Sequence, residues 1–303
     1  MSHDRAEAVL AVDCRCTLGE GLLWWEARGS LVWTDIQEAK LWLHPVATGE
    51  TRSWSLPGRL GSMAICTSGA LLLAMAKGIC FADLDSAPPD TLRPVPVAPL
   101  ELDLSTTRVN DGRTDRAGNF VFGTMNEDPG EEPIGSFYQY SAAAGLRRLD
   151  LGGVHIPNSI CFSLDGQTMY FCDSNQRRIM QCDYDAASAS VANVRLFVAL
   201  GPGTGTPDGS IVDAEGCLWN AEWGSACVRR YTADGQMERS ISVPAKNPTC
   251  PAFGGPDLGD LYVASARQQT TPEELARIPD AGSVYRAGAV GVRGVVDALF
   301  KDR

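Results

Sequence analysis

The chain has 303 residues, 44% of them hydrophobic and 21% charged, a balance that suits a large buried core and argues against disorder. With 37 acidic against 26 basic side chains the formal charge is -11, and no basic stripe could neutralise phosphates, so nucleic acid is not an expected partner. No apolar run approaches the ~20 residues that cross a bilayer, and the first ten residues lack a signal-peptide pattern. The expectation is a cytoplasmic protein with no membrane partner, whose ten cysteines, lacking any CxxC pair, are reduced and buried.

Along the chain a short unit recurs, a glycine turn followed by alternating large apolar residues. Its copies are Arg28-Gly29-Ser30-Leu31-Val32-Trp33, Ser68-Gly69-Ala70-Leu71-Leu72-Leu73, Ala117-Gly118-Asn119-Phe120-Val121-Phe122, Asp165-Gly166-Gln167-Thr168-Met169-Tyr170, Glu215-Gly216-Cys217-Leu218-Trp219 and Leu258-Gly259-Asp260-Leu261-Tyr262. Strand-length apolar runs with a period of 40 to 50 residues predict an all-β fold, a six-bladed β-propeller of four-stranded antiparallel blades around a central channel. Residues 1–303 then form one domain. Ala8 to Val12 and Ser283 to Ala287 are the strand-like pieces available to close the ring, since an open propeller would expose strand edges.

Between the strands, Trp24, Trp25, Trp33, Trp42 and Trp54 are expected in the core of the first blade. Two long loops are predicted, a proline-rich one over Ser86 to Pro99 and an acidic one over Asn126 to Gly135 that carries Glu127, Asp128, Glu131 and Glu132. One short helix is predicted at Thr271-Pro272-Glu273-Glu274-Leu275-Ala276-Arg277, with Thr271 as cap and Pro272 in the first helical position.

Four polar residues stand at matching offsets from the turn glycines: Glu20 nine residues ahead, and Asn110, Asn158 and Asp208 eight ahead. Propeller symmetry brings equivalent positions of successive blades together, so these side chains are expected to converge near one end of the channel. Glu20, Asn158 and Asp208 offer only oxygen donors, which hard divalent cations prefer, and two carboxylates would leave a dication nearly neutral. Asp208 lies between Pro207 and Gly209, which fix its backbone. Of the histidines, His3 is in the terminal segment, His44 precedes a proline, and His155 is close enough to Asn158 to line the site or pack behind it. No Gly-x-Ser-x-Gly elbow supports a serine triad, and Gly201 to Thr206 lacks the Gly-Lys-Ser/Thr ending of a phosphate loop.

At these residues the chain resembles the gluconolactonase and senescence marker protein (regucalcin) family of six-bladed propellers. The matching pieces are Leu18-Gly19-Glu20-Gly21, Arg108-Val109-Asn110-Asp111-Gly112, Gly123-Thr124-Met125, Pro157-Asn158-Ser159, Leu164-Asp165-Gly166, Pro207-Asp208-Gly209, and Phe253-Gly254-Gly255 leading to Ala266-Arg267. The resemblance implies a sugar lactonase, a hydrolase that opens aldonolactones such as glucono-, xylono-, arabinono- or galactonolactone to aldonic acids. It implies one divalent metal ion (zinc, calcium, manganese, magnesium or ferrous iron) on Glu20, Asn158 and Asp208, with Asp208 also the general base. It also implies that Arg108 binds the sugar and that Asn110 contacts substrate or a metal-bound water. An acidic residue after Gly-Thr-Met contacts the sugar in some members, and here Glu127 and Asp128 both qualify. The alternative is a non-enzymatic calcium- or metabolite-binding protein on the same site. A small-molecule sugar lactone is the expected partner, and the chain is expected to be a monomer or a weak homo-oligomer.

Overall fold

Turn glycines set the strands in fours. The structure, a computed structural model, describes residues 7–128 and 132–303. His3 and Glu131 lie outside the described residues. After an N-terminal strand β1 (Val9–Val12), the first blade is β2 (Gly19–Trp25), β3 (Ser30–Asp35), β4 (Lys40–Pro45) and β5 (Arg52–Ser55). The second is β6 (Leu60–Ile65), β7 (Leu71–Met75), β8 (Gly78–Ala82) and β9 (Val95–Pro99), and the third is β10 (Thr107–Thr114), β11 (Phe120–Asn126), β12 (Phe137–Ser141) and β13 (Gly145–Arg148). The fourth is β14 (Pro157–Phe162), β15 (Thr168–Asp173), β16 (Arg178–Asp185) and β17 (Ser190–Ala199), and the fifth is β18 (Thr206–Val212), β19 (Leu218–Trp223), β20 (Cys227–Tyr231) and β21 (Met237–Ser242). The sixth holds β22 (Asn247–Gly254), β23 (Asp260–Ala266) and β24 (Val284–Ala289), and β1 completes it as the fourth strand. All six sheets are antiparallel with the strands in sequential order, the blades of a β-propeller.

The two pieces expected to close the ring pair with each other, Val9 opposite Arg286 and Leu10 opposite Tyr285. A short helix α1 (Pro272–Arg277) forms where predicted, with a capping box between Thr271 and Glu274 and proline at its start. Two expectations are corrected. The segment from Ser86 to Pro99 is not all loop, because Val95–Pro99 is the outermost strand of the second blade; its prolines are tolerated there because an edge strand has one side with no ladder partner. In the sixth repeat the left-handed residue is Leu258 (φ 55°) and not Gly259, since the turn runs from Gly255, whose carbonyl accepts from the Leu258 amide at 3.2 Å. The glycines of the other five turns all have positive φ.

The chain groups into two compact units. One runs from the start of the described chain to Glu38 and adds Trp42–Arg52 and Leu200–Val296; the other comprises Ala39–Leu41, Ser53–Ala199 and Asp297–Arg303. In the first unit Trp219, Phe253, Tyr285 and Leu261 fill one core cluster, while Trp33, Leu22, Leu31 and Tyr262 fill another. Trp33 stacks on Trp42 with ring centroids 5.8 Å apart. All ten cysteines are free and nine are buried. Among the described residues no helix is long and apolar enough to cross a membrane.

In the second unit the C-terminal tail belongs to the core between the second and third blades. Phe300 is fully buried, stacks on Tyr140 at 5.8 Å and meets Phe81 at 6.1 Å. Its backbone is tied on both sides: its amide donates to Ile65 O and its carbonyl accepts from Thr67 N, while the Lys301 amide donates to Gly118 O. Truncation to Phe300→Ala is expected to lower unfolding free energy by about 3–5 kcal/mol in urea denaturation. A loss below about 1 kcal/mol would mean that the tail is not part of this core.

Candidate functional site

In each blade the strand that comes first in the sequence of β2–β24 (β2, β6, β10, β14, β18 or β22) is the inner strand, and it breaks register with its neighbour at one place. Glu20 pairs with Thr34 but Leu23 with Val32; Val109 pairs with Thr124 but Gly112 with Phe122; Asn158 pairs with Cys172 but Cys161 with Tyr170. The same break occurs at Pro207/Ser210, Pro248/Pro251 and Leu60/Ser62. Each time the inner strand holds one residue more than its partner, which is a β-bulge, and Gly21 and Ser159 inside two of the bulges take a φ of 60°. Glu20, Asn110, Asn158 and Asp208 lie in or directly beside these bulges. All four are buried, as is Arg108 at 3% exposure, an unusual set of polar side chains to withdraw from water.

In the first unit the bulge of β22 lies against β2 and β18. Thr249 Oγ1 donates to the carbonyl of Gly19 at 2.5 Å. On the other side, a Cβ at Gly209 would stand 2.7 Å from the Thr249 carbonyl, and one at Gly19 would stand 2.7 Å from the Ser265 carbonyl. Only glycine permits both approaches, and these two glycines adjoin Glu20 and Asp208. Behind Asp208, the Asn220 amide donates to the Asp208 carbonyl at 3.0 Å, the Gly209 carbonyl at 3.3 Å and Ser210 Oγ at 2.9 Å. Glu222, opposite Pro207, is fully buried and accepts from Arg229 at 2.7 Å and from the Tyr231 hydroxyl at 3.1 Å. Burial, and then the charge of Glu222, push the Tyr231 phenol above its ordinary range, so it stays a donor.

In the second unit β10 packs between β6 and β14, and the polar side chains form one chain of contacts. Arg108 donates through Nη1 to the Val109 carbonyl and to Asn110 Oδ1, both at 2.9 Å, and through Nε to Glu127 Oε1 at 3.0 Å. Asn110 Nδ2 donates to the Pro157 carbonyl at 3.0 Å and to Asn158 Oδ1 at 2.9 Å, and Asn158 Nδ2 donates to Ser174 Oγ at 2.9 Å. Thus Arg108, Asn110, Asn158 and Glu127 are brought together. Asp111 turns the other way, accepting from the Gly112 amide at 2.8 Å and the Ile160 amide at 2.9 Å, which staples the bulge of β10 to that of β14. Burial raises the Asp111 carboxyl above the usual range despite these bonds.

His155 is half-buried, and both its backbone amide and its Nδ1 meet Asp173 Oδ2, at 3.1 and 3.2 Å. Its link to Asn158 is indirect, through Asp173 and the adjoining Ser174. Asp128 is exposed, and its amide donates to Asn126 Oδ1 at 3.2 Å.

With this geometry in place, comparison with known proteins is informative. The SMP-30/Gluconolactonase/LRE-like region matches residues 18–267. The chain belongs to that family. L-arabinolactonase of Azospirillum brasilense is 44% identical over 289 residues, spanning 94% of this chain and 93% of that protein. Regucalcin of Xenopus laevis is 30% identical over 306 residues, 99% of each. Among solved structures, the calcium-binding protein regucalcin from Agrobacterium tumefaciens superimposes with a TM-score of 0.90 at 33% identity, covering 98% of both chains. The whole described fold is therefore that of the SMP-30/gluconolactonase family.

Sequence reading missed Thr249, Asn220, Ser174 and Arg59, which hold the bulge residues or their neighbours. Thr249 stands ten residues before Gly259, two beyond the offset shared by Asn110, Asn158 and Asp208, so no common spacing marks it. The close approach at Gly209 gives a test. Gly209→Ala must push β18 away from β22 and is expected to cost about 1–3 kcal/mol of stability in thermal or urea unfolding. An unchanged unfolding midpoint would mean that the two strands have room to spare.

Proposed function

We propose that this chain is a sugar lactonase that opens a five- or six-carbon aldonolactone to the aldonic acid with the help of one divalent cation. The observation that carries this reading is likeness to L-arabinolactonase along 94% of the chain. The buried polar set on the bulges supports it, because such groups are withdrawn from water where a ligand or an ion is to be held.

Glu20, Asn158 and Asp208 are the residues proposed to hold the cation. The donor chemistry fits, since carboxylate and amide oxygens suit a hard dication, and the Asn158 carbonyl oxygen has a second lone pair beyond the one used by Asn110. Among the described residues no three His, Cys, Asp or Glu side chains form a metal-binding group, which is consistent with a set made of two carboxylates and an amide. When bound, the cation would polarise the lactone carbonyl and offset charge developing on its oxygen.

The chain's own residues supply the rest. Asp208 takes the proton of the water that attacks the carbonyl, and Asn220 together with the Pro207 and Gly209 flanks keeps its backbone from moving as it does so. Arg108 and Asn110 hold ring hydroxyls, their own orientation fixed by the bond between them. Burial of these groups keeps bulk water from competing for their hydrogen bonds while the one attacking water is admitted.

The test is proton release on a panel of five- and six-carbon aldonolactones with spontaneous hydrolysis subtracted, before and after chelation and with each metal restored. Chelator-sensitive acidification of one lactone is expected. Asp208→Asn should lower kcat by about 10²–10⁴-fold, while Arg108→Ala should act mainly on KM. Equal losses in the same parameter would sink these assignments. A second reading, a calcium-binding protein without turnover, is favoured by the description of the Agrobacterium tumefaciens regucalcin structure as a calcium-binding protein. Tight calcium binding with no lactone opened under any metal would select it.

A further inference from the structure

Glu127 is gripped from two blades at once. Arg59 places its fork on both carboxylate oxygens, Nη1 on Oε1 at 2.6 Å and Nη2 on Oε2 at 2.5 Å, while Arg108 Nε reaches Oε1 at 3.0 Å. Bidentate pairing of this kind fixes orientation as well as distance. The anchors are firm on both sides: the Arg59 carbonyl accepts from the Ala76 amide at 2.9 Å in the second blade, and the Glu127 amide donates to the Thr106 carbonyl at 3.0 Å in the third. Arg59 follows Pro57-Gly58 at the entrance to β6, a blade whose bulge carries Gly61 and Ser62 rather than a carboxylate or asparagine.

We infer that Arg59 is a specificity-determining positioning residue, which acts on the sugar end of the lactone by holding Glu127 and, through it, Arg108. This rests on the lactonase reading. A carboxylate has about four lone-pair sites, and the two arginines occupy three, so one acceptor site of fixed direction is left for a sugar hydroxyl. Arg108 is held in turn. Its Nε is on Glu127 and its Nη1 on Val109 and Asn110, so the guanidinium that would contact substrate cannot rotate. Without Arg59, Glu127 keeps only the single bond from Arg108 Nε, about which its carboxylate can turn, so neither its open acceptor site nor the edge of Arg108 that meets it is held in one direction. Two lactones that differ in one hydroxymethyl group would then be told apart less well.

Glu127 also carries a pH signature. Burial alone would raise its carboxyl, but the hydrogen bonds and charges of Arg59, from the loop before β6, and of Arg108, from β10, outweigh this and hold it below the usual range. For a lowered carboxyl, the ionised form is complete above the ordinary value and is lost only as pH falls through the lowered one. Removal of Arg59 should therefore move the acid limb of kcat/KM to higher pH.

The experiment measures kcat, KM and the pH profile on a pentonolactone and a hexonolactone for the unaltered chain, Arg59→Met, Arg59→Lys, Glu127→Gln and the Arg59→Met/Glu127→Gln double variant, each checked for an unchanged unfolding midpoint. Arg59→Met is expected to raise KM roughly tenfold with kcat within about threefold, and to narrow the preference between the two lactones. Lysine, which has the charge but no fork, should restore part of the loss. In the Glu127→Gln background Arg59→Met should add little. An unchanged KM, a loss confined to kcat, or additive losses in the double variant would overturn the role of Arg59 while leaving the lactonase reading intact. No turnover by the unaltered chain would overturn both.

Discussion

An inner strand that holds one residue more than its neighbour can pair with leaves backbone amides and carbonyls without ladder partners, and buried backbone groups must be satisfied somewhere. In this protein side chains do it. Asn220 takes the Asp208 and Gly209 carbonyls, Asn110 takes the Pro157 carbonyl, Asp111 takes the Gly112 and Ile160 amides, Ser62 takes the Gly112 carbonyl at 2.8 Å, and Thr249 takes the Gly19 carbonyl. Leaving one such group unmade would cost about 1–3 kcal/mol. The bulges therefore demand polar residues in the middle of an otherwise apolar fold.

That demand explains why the positions proposed to carry function are also ones that hold the fold. A bulge re-aims the side chain at its corner, and the residue chosen to satisfy the freed backbone is already polar, buried and fixed in direction. Little further change is needed to make such a residue a ligand or a substrate contact. The adjoining strands must come close enough for these bonds, which restricts Gly19 and Gly209 to glycine. Asp111 shows the opposite limit: it bonds only backbone, and burial raises its carboxyl, so the staple between β10 and β14 carries a desolvation penalty.

Much of this was legible in the sequence, for a reason that also sets the limit. Repeats expose period, and period gave the six blades, while the need to close the ring gave the partnership of the N-terminal strand with β24. Residues without a periodic signature stayed hidden. Thr249 stands two residues outside the common offset, one of them because the sixth turn pivots at Leu258, and β9 looked like loop because edge strands tolerate proline. Arg59 was invisible for a different reason. Its partner, Glu127, lies beyond the end of the neighbouring blade's second strand, and a contact between loops of successive blades follows no sequence spacing.

The network in the second unit has no slack. Arg59 fixes Glu127, Glu127 fixes Arg108, Arg108 fixes Asn110, and Asn110 meets Asn158, each through a hydrogen bond of 3.0 Å or less. From Arg108 inward the groups are buried, and a series of short bonds between buried groups does not accommodate a displaced member by bending slightly; it exchanges one set of partners for another. The directions of the Glu127 carboxylate, the Arg108 guanidinium and the Asn158 oxygen are therefore not independent variables in this chain. A substitution that displaces Arg108 is felt two bonds later at Asn158, so the sugar contact proposed for Arg108 and the cation contact proposed for the Asn158 oxygen would be tuned together or not at all.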